Sequence, residues 1–237
     1  MAAVEMPLLS EPTGPVATAK AAMAEDSALA VARDAMVASQ IIARGVRDPK
    51  TLATLRQVPR HLFVPPGLAN EAYDDHPLPI GHGQTISQPY IVAFMTEALG
   101  LRGGETVLEV GAGSGYQSAV LSRIAARVFG IEIVGPLARE AKARLAMLGY
   151  LNVEIRAGDG YAGWPEHAPF DAIMVTAGAP RVPEPLKQQL KDGGRLILPV
   201  GDYVQELRIV TRRGSTFEER SVLGVTFVPM TGQIRRD

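Results

Sequence analysis

The chain has 237 residues, 46% of them hydrophobic, with a formal net charge of −1, which suits one α/β unit with a modest extension and a sizeable core. Lysines and arginines are scattered rather than massed, which argues against an extended polyanion such as nucleic acid. The absence of cysteine excludes disulfides, thiolate nucleophiles and cysteine-ligated zinc, and no apolar run approaches the roughly 18 residues of a membrane-spanning helix.

Residues 1–25 are rich in Ala and Pro. Glu5, Pro7, Pro12 and Pro15 stand where a signal peptide needs a basic start and an apolar centre, so a flexible extension is expected. The remainder, 26–237, is expected to form a single domain, with a helical and loop front end over 26–101 and a ligand-binding sheet over 102–237. Asp26-Ser27 can cap a helix to about Arg44, ended by Gly45. Asp48-Pro49 then opens a short second helix marked by Leu52 and Leu55. This front end is expected to pack across one edge of the sheet.

Val58 to Gln88 is punctuated by Pro59, Pro65, Pro66, Pro77 and Pro79 and by three glycines, yet keeps Leu62, Phe63, Val64, Leu78 and Ile80. Such a stretch inside a compact domain reads as an ordered binding loop, a wall near the site. Pro89 to Leu99 is a helix by its apolar spacing. Strands are then expected over 106–110, 127–132, 153–157, 171–175 and 195–200, alternating with helices over 115–125, 136–148 and 184–191. That alternation implies right-handed crossovers and a mostly parallel sheet with helices on both faces. The tail differs, because 206–212 and 217–227 joined by Arg213-Gly214-Ser215 read as an antiparallel hairpin at the sheet edge.

The chemistry-bearing stretch is Thr106-Val-Leu-Glu-Val-Gly-Ala-Gly-Ser-Gly-Tyr116. A buried strand turns sharply into a helix, and Gly111 and Gly113 let backbone pass close to a ligand. A dinucleotide fingerprint would want G-x-G-x-x-G, but the sixth position is Tyr116. The phosphate loop G-x-x-x-x-G-K-[ST] and the hydrolase elbow G-x-S-x-G are both absent. S-adenosylmethionine, which lacks phosphates, fits better. Glu109 at the end of the first of these strands can balance an ammonium group, directly or through water. Glu132, 21 residues after Gly111, can accept from ribose hydroxyls, and Asp159 after the third strand can accept from an adenine amino group. Singly, each acid is most simply a solvated loop residue; three at successive strand ends form a pattern.

With these residues in view, the sequence resembles the protein-L-isoaspartate O-methyltransferase family over about residues 34 to 232. The most specific segment is Pro79-Ile-Gly-His-Gly-Gln-Thr-Ile-Ser-Gln-Pro89. Arg44-Gly-Val-Arg-Asp-Pro49 and Val58-Pro-Arg-His-Leu-Phe-Val-Pro65 match the helical front. Phe170-Asp-Ala-Ile-Met-Val-Thr-Ala-Gly-Ala-Pro180, Leu190 to Gly201, and Phe227-Val-Pro-Met-Thr231 match later blocks. Two departures stand out. Ile133 occupies a position where members often carry Arg, and Ala177-Gly178-Ala179 differs from the common alanine-rich loop.

The resemblance implies a Rossmann-like methyltransferase fold and methyl transfer from S-adenosylmethionine to the free α-carboxylate of L-isoaspartyl residues in damaged proteins. The ester then collapses to a succinimide without further help. A cytoplasmic enzyme is expected, with isoaspartyl peptides and proteins as partners and neither nucleic acid nor membrane; the oligomeric state is left open, a monomer being the simplest expectation. The cofactor-binding set that the resemblance implies is Thr85, Ile86, Ser87, Glu109, Gly111, Ala112, Gly113, Gly115, Glu132, Ile133, Asp159, Gly160 and Thr231, with Ser87 catalytic and no metal. Ser87 equally suits the N-cap of the helix beginning at Pro89. A peptide carboxylate with an ordinary pKa of about 3.3–3.9 is already ionised at neutral pH, so no general base is required. His61, His76, His82 and His167 lack metal-ligand spacing, while Trp164 and Tyr161 are placed to line the adenine side or simply to pack. A nicotinamide-dependent oxidoreductase and a non-catalytic cofactor-binding module remain the alternatives.

Overall fold

Five apolar runs, each short and each followed by a helix or turn, have nowhere to hide both faces except in the middle of a parallel sheet. The computed structural model describes residues 27–236 and places them there. The expected extension over 1–25, and Asp26 of the first cap, lie outside the described residues. The strands are β1 (Leu78–Gly81), β2 (Gln84–Ile86), β3 (Thr106–Val110), β4 (Arg127–Glu132), β5 (Val153–Ala157), β6 (Phe170–Val175), β7 (Leu190–Val200), β8 (Gln205–Arg213) and β9 (Thr216–Val225). β1 and β2 form a separate hairpin, and the other seven make one sheet in the order β5-β4-β3-β6-β7-β8-β9. β5 to β7 in that order run parallel, and β8 and β9 close the edge as an antiparallel meander.

The helices are α1 over 27–36, α2 (Pro49–Gln57), α3 (Pro89–Leu99), α4 (Tyr116–Ser122), α5 (Gly135–Met147) and α6 (Glu184–Gln188). The expected first helix changes pitch. α1 continues as a π turn over Val37–Ile41 and a 3-10 turn over Ile42–Arg44, ending at Gly45 with φ of +95°. β7 is longer than expected and α6 shorter, because backbone pairing with β6 begins at Leu190, ahead of the Gly193-Gly194 pair.

Strand alternation sorts the core into two layers. Val107, Val128, Met174 and Ile197 pack with Met95 and Leu99 of α3 and Leu121 of α4 on one side. Leu108, Phe129, Ile173 and Leu196 pack with Leu186 of α6 and with Met230 and Ile234 of the C-terminal segment on the other. The front end does not lie across a sheet edge as expected. Its helices pack on α3 and α4, extending the first helical layer. Apolar Phe63 drives this, buried edge-on against Tyr116 at 5.5 Å, while the buried Arg60 guanidinium lies over the same ring at 5.1 Å. Burial draws the Arg60 pKa down to about 10; its Nε donates to Ala72 O at 2.6 Å.

The expected wall over 58–88 is ordered as two 3-10 turns, Arg60–Phe63 and Pro66–Glu71, followed by the β1–β2 hairpin. The hairpin leans on the glycine turn, for a Cβ at Gly113 would lie 3.2 Å from Ile80 Cδ1.

Gly115 holds the turn to α5. It caps α4 at φ of +89°, and a Cβ there would sit 3.0 Å from Leu145 Cδ1. Gly115→Ala combines left-handed strain with that contact and is expected to lower unfolding free energy by roughly 1–3 kcal/mol. Denaturant titration checks this; an unchanged midpoint would show that α5 yields freely.

Candidate active site

In the sheet order, the chain leaves β3 toward β4 and β5, then returns to β6 on its other side, so β3 and β6 flank the topological switch point. Ligands bind at that position in open α/β sheets. A cleft open to solvent lies at the carboxyl ends of these strands.

Its floor is the turn after β3. Gly111 and Ala112 both donate to Ile131 O, at 2.8 and 3.1 Å, which locks the turn onto the end of β4. Gly111 adopts φ of +97° and Gly113 +54°. A Cβ on Gly111 would lie 2.5 Å from Thr176 Oγ1, and that hydroxyl donates to Gly111 O at 2.6 Å. Gly160, after β5, presses equally close, since a Cβ there would collide with Val110.

Two carboxylates stand beside the turn in unlike settings. Glu109 shares the face of Val107 and points beneath α4, where the Ser118 hydroxyl donates to its Oε2. Its Oε1 is buried without a hydrogen-bond partner. Burial first, and the nearby Glu132 charge second, push the Glu109 carboxyl up to about 8 against the hydrogen bond from Ser118. Glu132 accepts from Gly113 N and Val134 N, each at 2.8 Å. A carboxylate has about four acceptor directions, so lone pairs remain for a ligand.

The opposite wall is the strand-end block of the front hairpin. Ser87 follows β2 and is half-buried. The N-cap of α3 is Gln88, with Pro89 at the first helical position and no side-chain cap bond. Ser87 is therefore no helix cap, and its hydroxyl is uncommitted. A second groove, lined by Ile91, Val225 and Phe227, adjoins the cleft, and Thr85, Ser87, Thr176 and Val228 line both. The two cavities meet at those side chains.

The family model for protein-L-isoaspartate(D-aspartate) O-methyltransferase matches residues 32–235. The chain belongs to this family. Protein-L-isoaspartate O-methyltransferase 2 of Shewanella sediminis (strain HAW-EB3) is 56% identical over 208 residues, covering 87% of this chain and 85% of that protein. A solved protein-L-isoaspartate O-methyltransferase superposes with a TM-score of 0.74 at 32% identity; 81% of this chain matches, spanning 64% of that longer one. A Plasmodium falciparum protein of the same description, solved in complex with S-adenosyl-L-homocysteine, gives 0.74 at 27% identity over 84% of this chain and 98% of that one.

Of the cofactor-binding set that the family resemblance implies, all but Gly115 and Asp159 line the cleft. Gly115 lies under the turn, against Leu145 and Ala141, and serves helix packing. Asp159 is turned aside: its Oδ1 accepts from Tyr161 N at 2.9 Å and its Oδ2 from Gln233 N at 2.7 Å. Sequence reasoning missed Thr176, Tyr116 and the run Val228–Met230 as lining residues. Thr176 directly follows β6, so the strand-end rule that singled out Glu109 would have found it; the C-terminal run carries no such signal. His61 pairs with the Tyr73 hydroxyl at 2.7 Å and His167 stacks on Phe129 at 4.0 Å. No group of three His, Asp or Glu among the described residues is placed to hold a metal ion.

The raised Glu109 carboxyl has a consequence for stability. An acid titrating near 8 in the folded chain and near 4.5 when unfolded keeps a proton that the unfolded state loses, so stability falls as pH rises between those values. The slope from this group is at most about 1.4 kcal/mol per pH unit, levelling off above pH 8. Glu109→Gln is expected to flatten the decline in denaturant titrations between pH 5 and 8; an identical slope in wild type and variant would contradict it.

Proposed function

We propose that the chain transfers the methyl group of S-adenosylmethionine to the free α-carboxylate of an L-isoaspartyl residue in damaged peptides and proteins. The observation that carries this reading is the junction of two cavities at Ser87 and Thr176, one floored by the glycine turn and the other open along α3 and the end of β9. A methyl donor and a peptide acceptor need adjoining but distinct seats.

The residues fit the donor. Gly111 and Gly113 line the cleft as bare backbone, with a Cβ at 111 barred by Thr176, and the unpartnered Glu109 Oε1 answers a cationic ammonium. Glu132 is the acceptor for ribose hydroxyls, with Ile133, Gly160 and Thr231 along the cleft. Thr85, Ile86 and Ala112 complete the lining. When bound, the cofactor supplies an electrophilic methyl group on a sulfonium centre. The acceptor carboxylate is already ionised, so the site is asked for alignment and exclusion of water rather than for a base. Orientation of this kind supplies several kcal/mol, up to about 7–11 in ideal systems. The free Ser87 hydroxyl is the donor that holds the incoming carboxylate in line. The resulting ester closes to a succinimide when the neighbouring backbone nitrogen attacks the ester carbonyl and the C–O bond breaks, methanol leaving with the amide proton, a step that needs no group from this chain.

No helix among the described residues is long and apolar enough to cross a membrane.

Labelled S-adenosylmethionine and peptide pairs differing only in Asp versus isoAsp test the reading. Transfer to the isoAsp member alone is expected; equal labelling of both, or of neither, overturns it. Ser87→Ala is expected to slow single-turnover transfer roughly 10- to 100-fold with cofactor affinity little changed. Glu132→Ala is expected to weaken cofactor binding by roughly 10- to 100-fold in a titration, the value of hydrogen bonds to a charged acceptor. The reverse pattern in the two variants would reassign both roles.

A further inference from the structure

The C-terminal segment after β9 is a strap, and most of its tethers come from one bank of the cleft. Phe227 N donates to Gln205 Oε1 at 2.6 Å, and Gly178 N and Met230 N exchange bonds with Val228 O and Gly178 O, each at 2.8 Å. Arg235 donates to Met230 O at 3.0 Å and pairs with Asp202. Gly178, Asp202 and Gln205 all belong to the half of the sheet beyond β6. Among these anchors, Val228 to Thr231 form part of the cleft wall.

One tether comes from the other bank. Asp159 follows β5, on the far side of the switch point, and its Oδ2 accepts from Gln233 N. Its Oδ1 is held by Tyr161 N, so the carboxylate is oriented within its own loop before it reaches the strap. Gly232 makes the approach possible. It adopts φ of +90°, and a Cβ there would collide with Asp159 Oδ2. A left-handed glycine placed against a carboxylate, with the next N–H aimed at that carboxylate, is a fitted contact between two parts of the chain about 70 residues apart.

We propose that Asp159 is a positioning residue that latches the C-terminal strap across the cofactor cleft, with Gly232 as its keeper. The latch sets how long the cofactor stays bound, by joining the two banks over the wall that Met230 and Thr231 provide. Asp159 does this through the strap. This rests on the cleft being the methyl-donor site, and it differs from reading an adenine amino group directly.

Hydrogen exchange in the ligand-free protein and dissociation of S-adenosylhomocysteine test the latch together. Asp159→Ala is expected to speed exchange across residues 228–236 before any ligand is added. It is also expected to raise the dissociation rate of S-adenosylhomocysteine about three- to tenfold, less than a buried hydrogen bond to a charged acceptor would give because this one is exposed and acts through the strap. Gly232→Ala should reproduce both effects, and combining the two should add less than the sum, since removal of the carboxylate removes the collision. Asp159→Asn, which retains one carbonyl acceptor, should fall between and serves if the alanine variant folds poorly. Unchanged exchange in the strap overturns the latch, as does faster exchange with unchanged ligand dissociation, or full additivity. Failure of the wild-type protein to bind S-adenosylhomocysteine at all would instead overturn the methyl-donor reading.

Discussion

Gly111 and Thr176 meet across the switch point of the sheet with no room for a side chain between them. The Thr176 hydroxyl bonds to Gly111 O, and Thr176 N bonds to Val110 O at 2.9 Å, so the ends of β3 and β6 are clamped together. Gly111 N and Ala112 N in turn reach the end of β4. Three strand ends are thus held by one turn, and the cleft exists because that turn carries no Cβ at its tightest point. Several parts of the site border this clamp. The Glu109 and Glu132 carboxylates project from either side of it, Gly160 closes on Val110, and the front hairpin rests Ile80 against Gly113.

The two carboxylates show how little residue type alone decides. Glu132 is satisfied by two backbone N–H groups, whereas Glu109 has one hydroxyl partner and one orphaned oxygen in a buried setting. An unpartnered buried acceptor is costly, and a retained proton is one compensation. A cationic ligand offers another. Glu109 thereby holds in reserve an interaction that the fold leaves unused, which is what a site for an ammonium group requires.

The front end carries the Ser87 block, the side on which the acceptor is proposed to sit. Phe63, Arg60 and Tyr116 bind it to α4 through burial and a guanidinium over an aromatic ring, so the Ser87 block is delivered by a layer packed on the sheet's own helices. Tyr116 occupies the position where a dinucleotide fingerprint would carry its third glycine, and here that bulk is buried in the joint with the front end. The departure from the dinucleotide pattern and the docking of the acceptor layer are one feature.

Much of this was legible in the residues. Short apolar runs punctuated by glycine dictated a parallel sheet, since only a strand covered on both faces buries such a run, and of the three acids expected at successive strand ends Glu109 and Glu132 line the cleft while Asp159 does not. The block Thr85-Ile86-Ser87 pointed to the reaction through family likeness. What tertiary structure alone decided was partnership. Whether Ser87 capped a helix depended on where α3 begins, and Gln88 takes that place. Whether Asp159 faced a ligand depended on Gln233, about 70 residues onward, whose N–H reaches its carboxylate. Gly115 looked like its neighbours in the turn but faces α5. Local pattern determines which backbone a residue prefers; which atoms satisfy a side chain is settled only when distant segments meet, because hydrogen bonds and close contacts act over a few ångströms and sequence separation carries no distance.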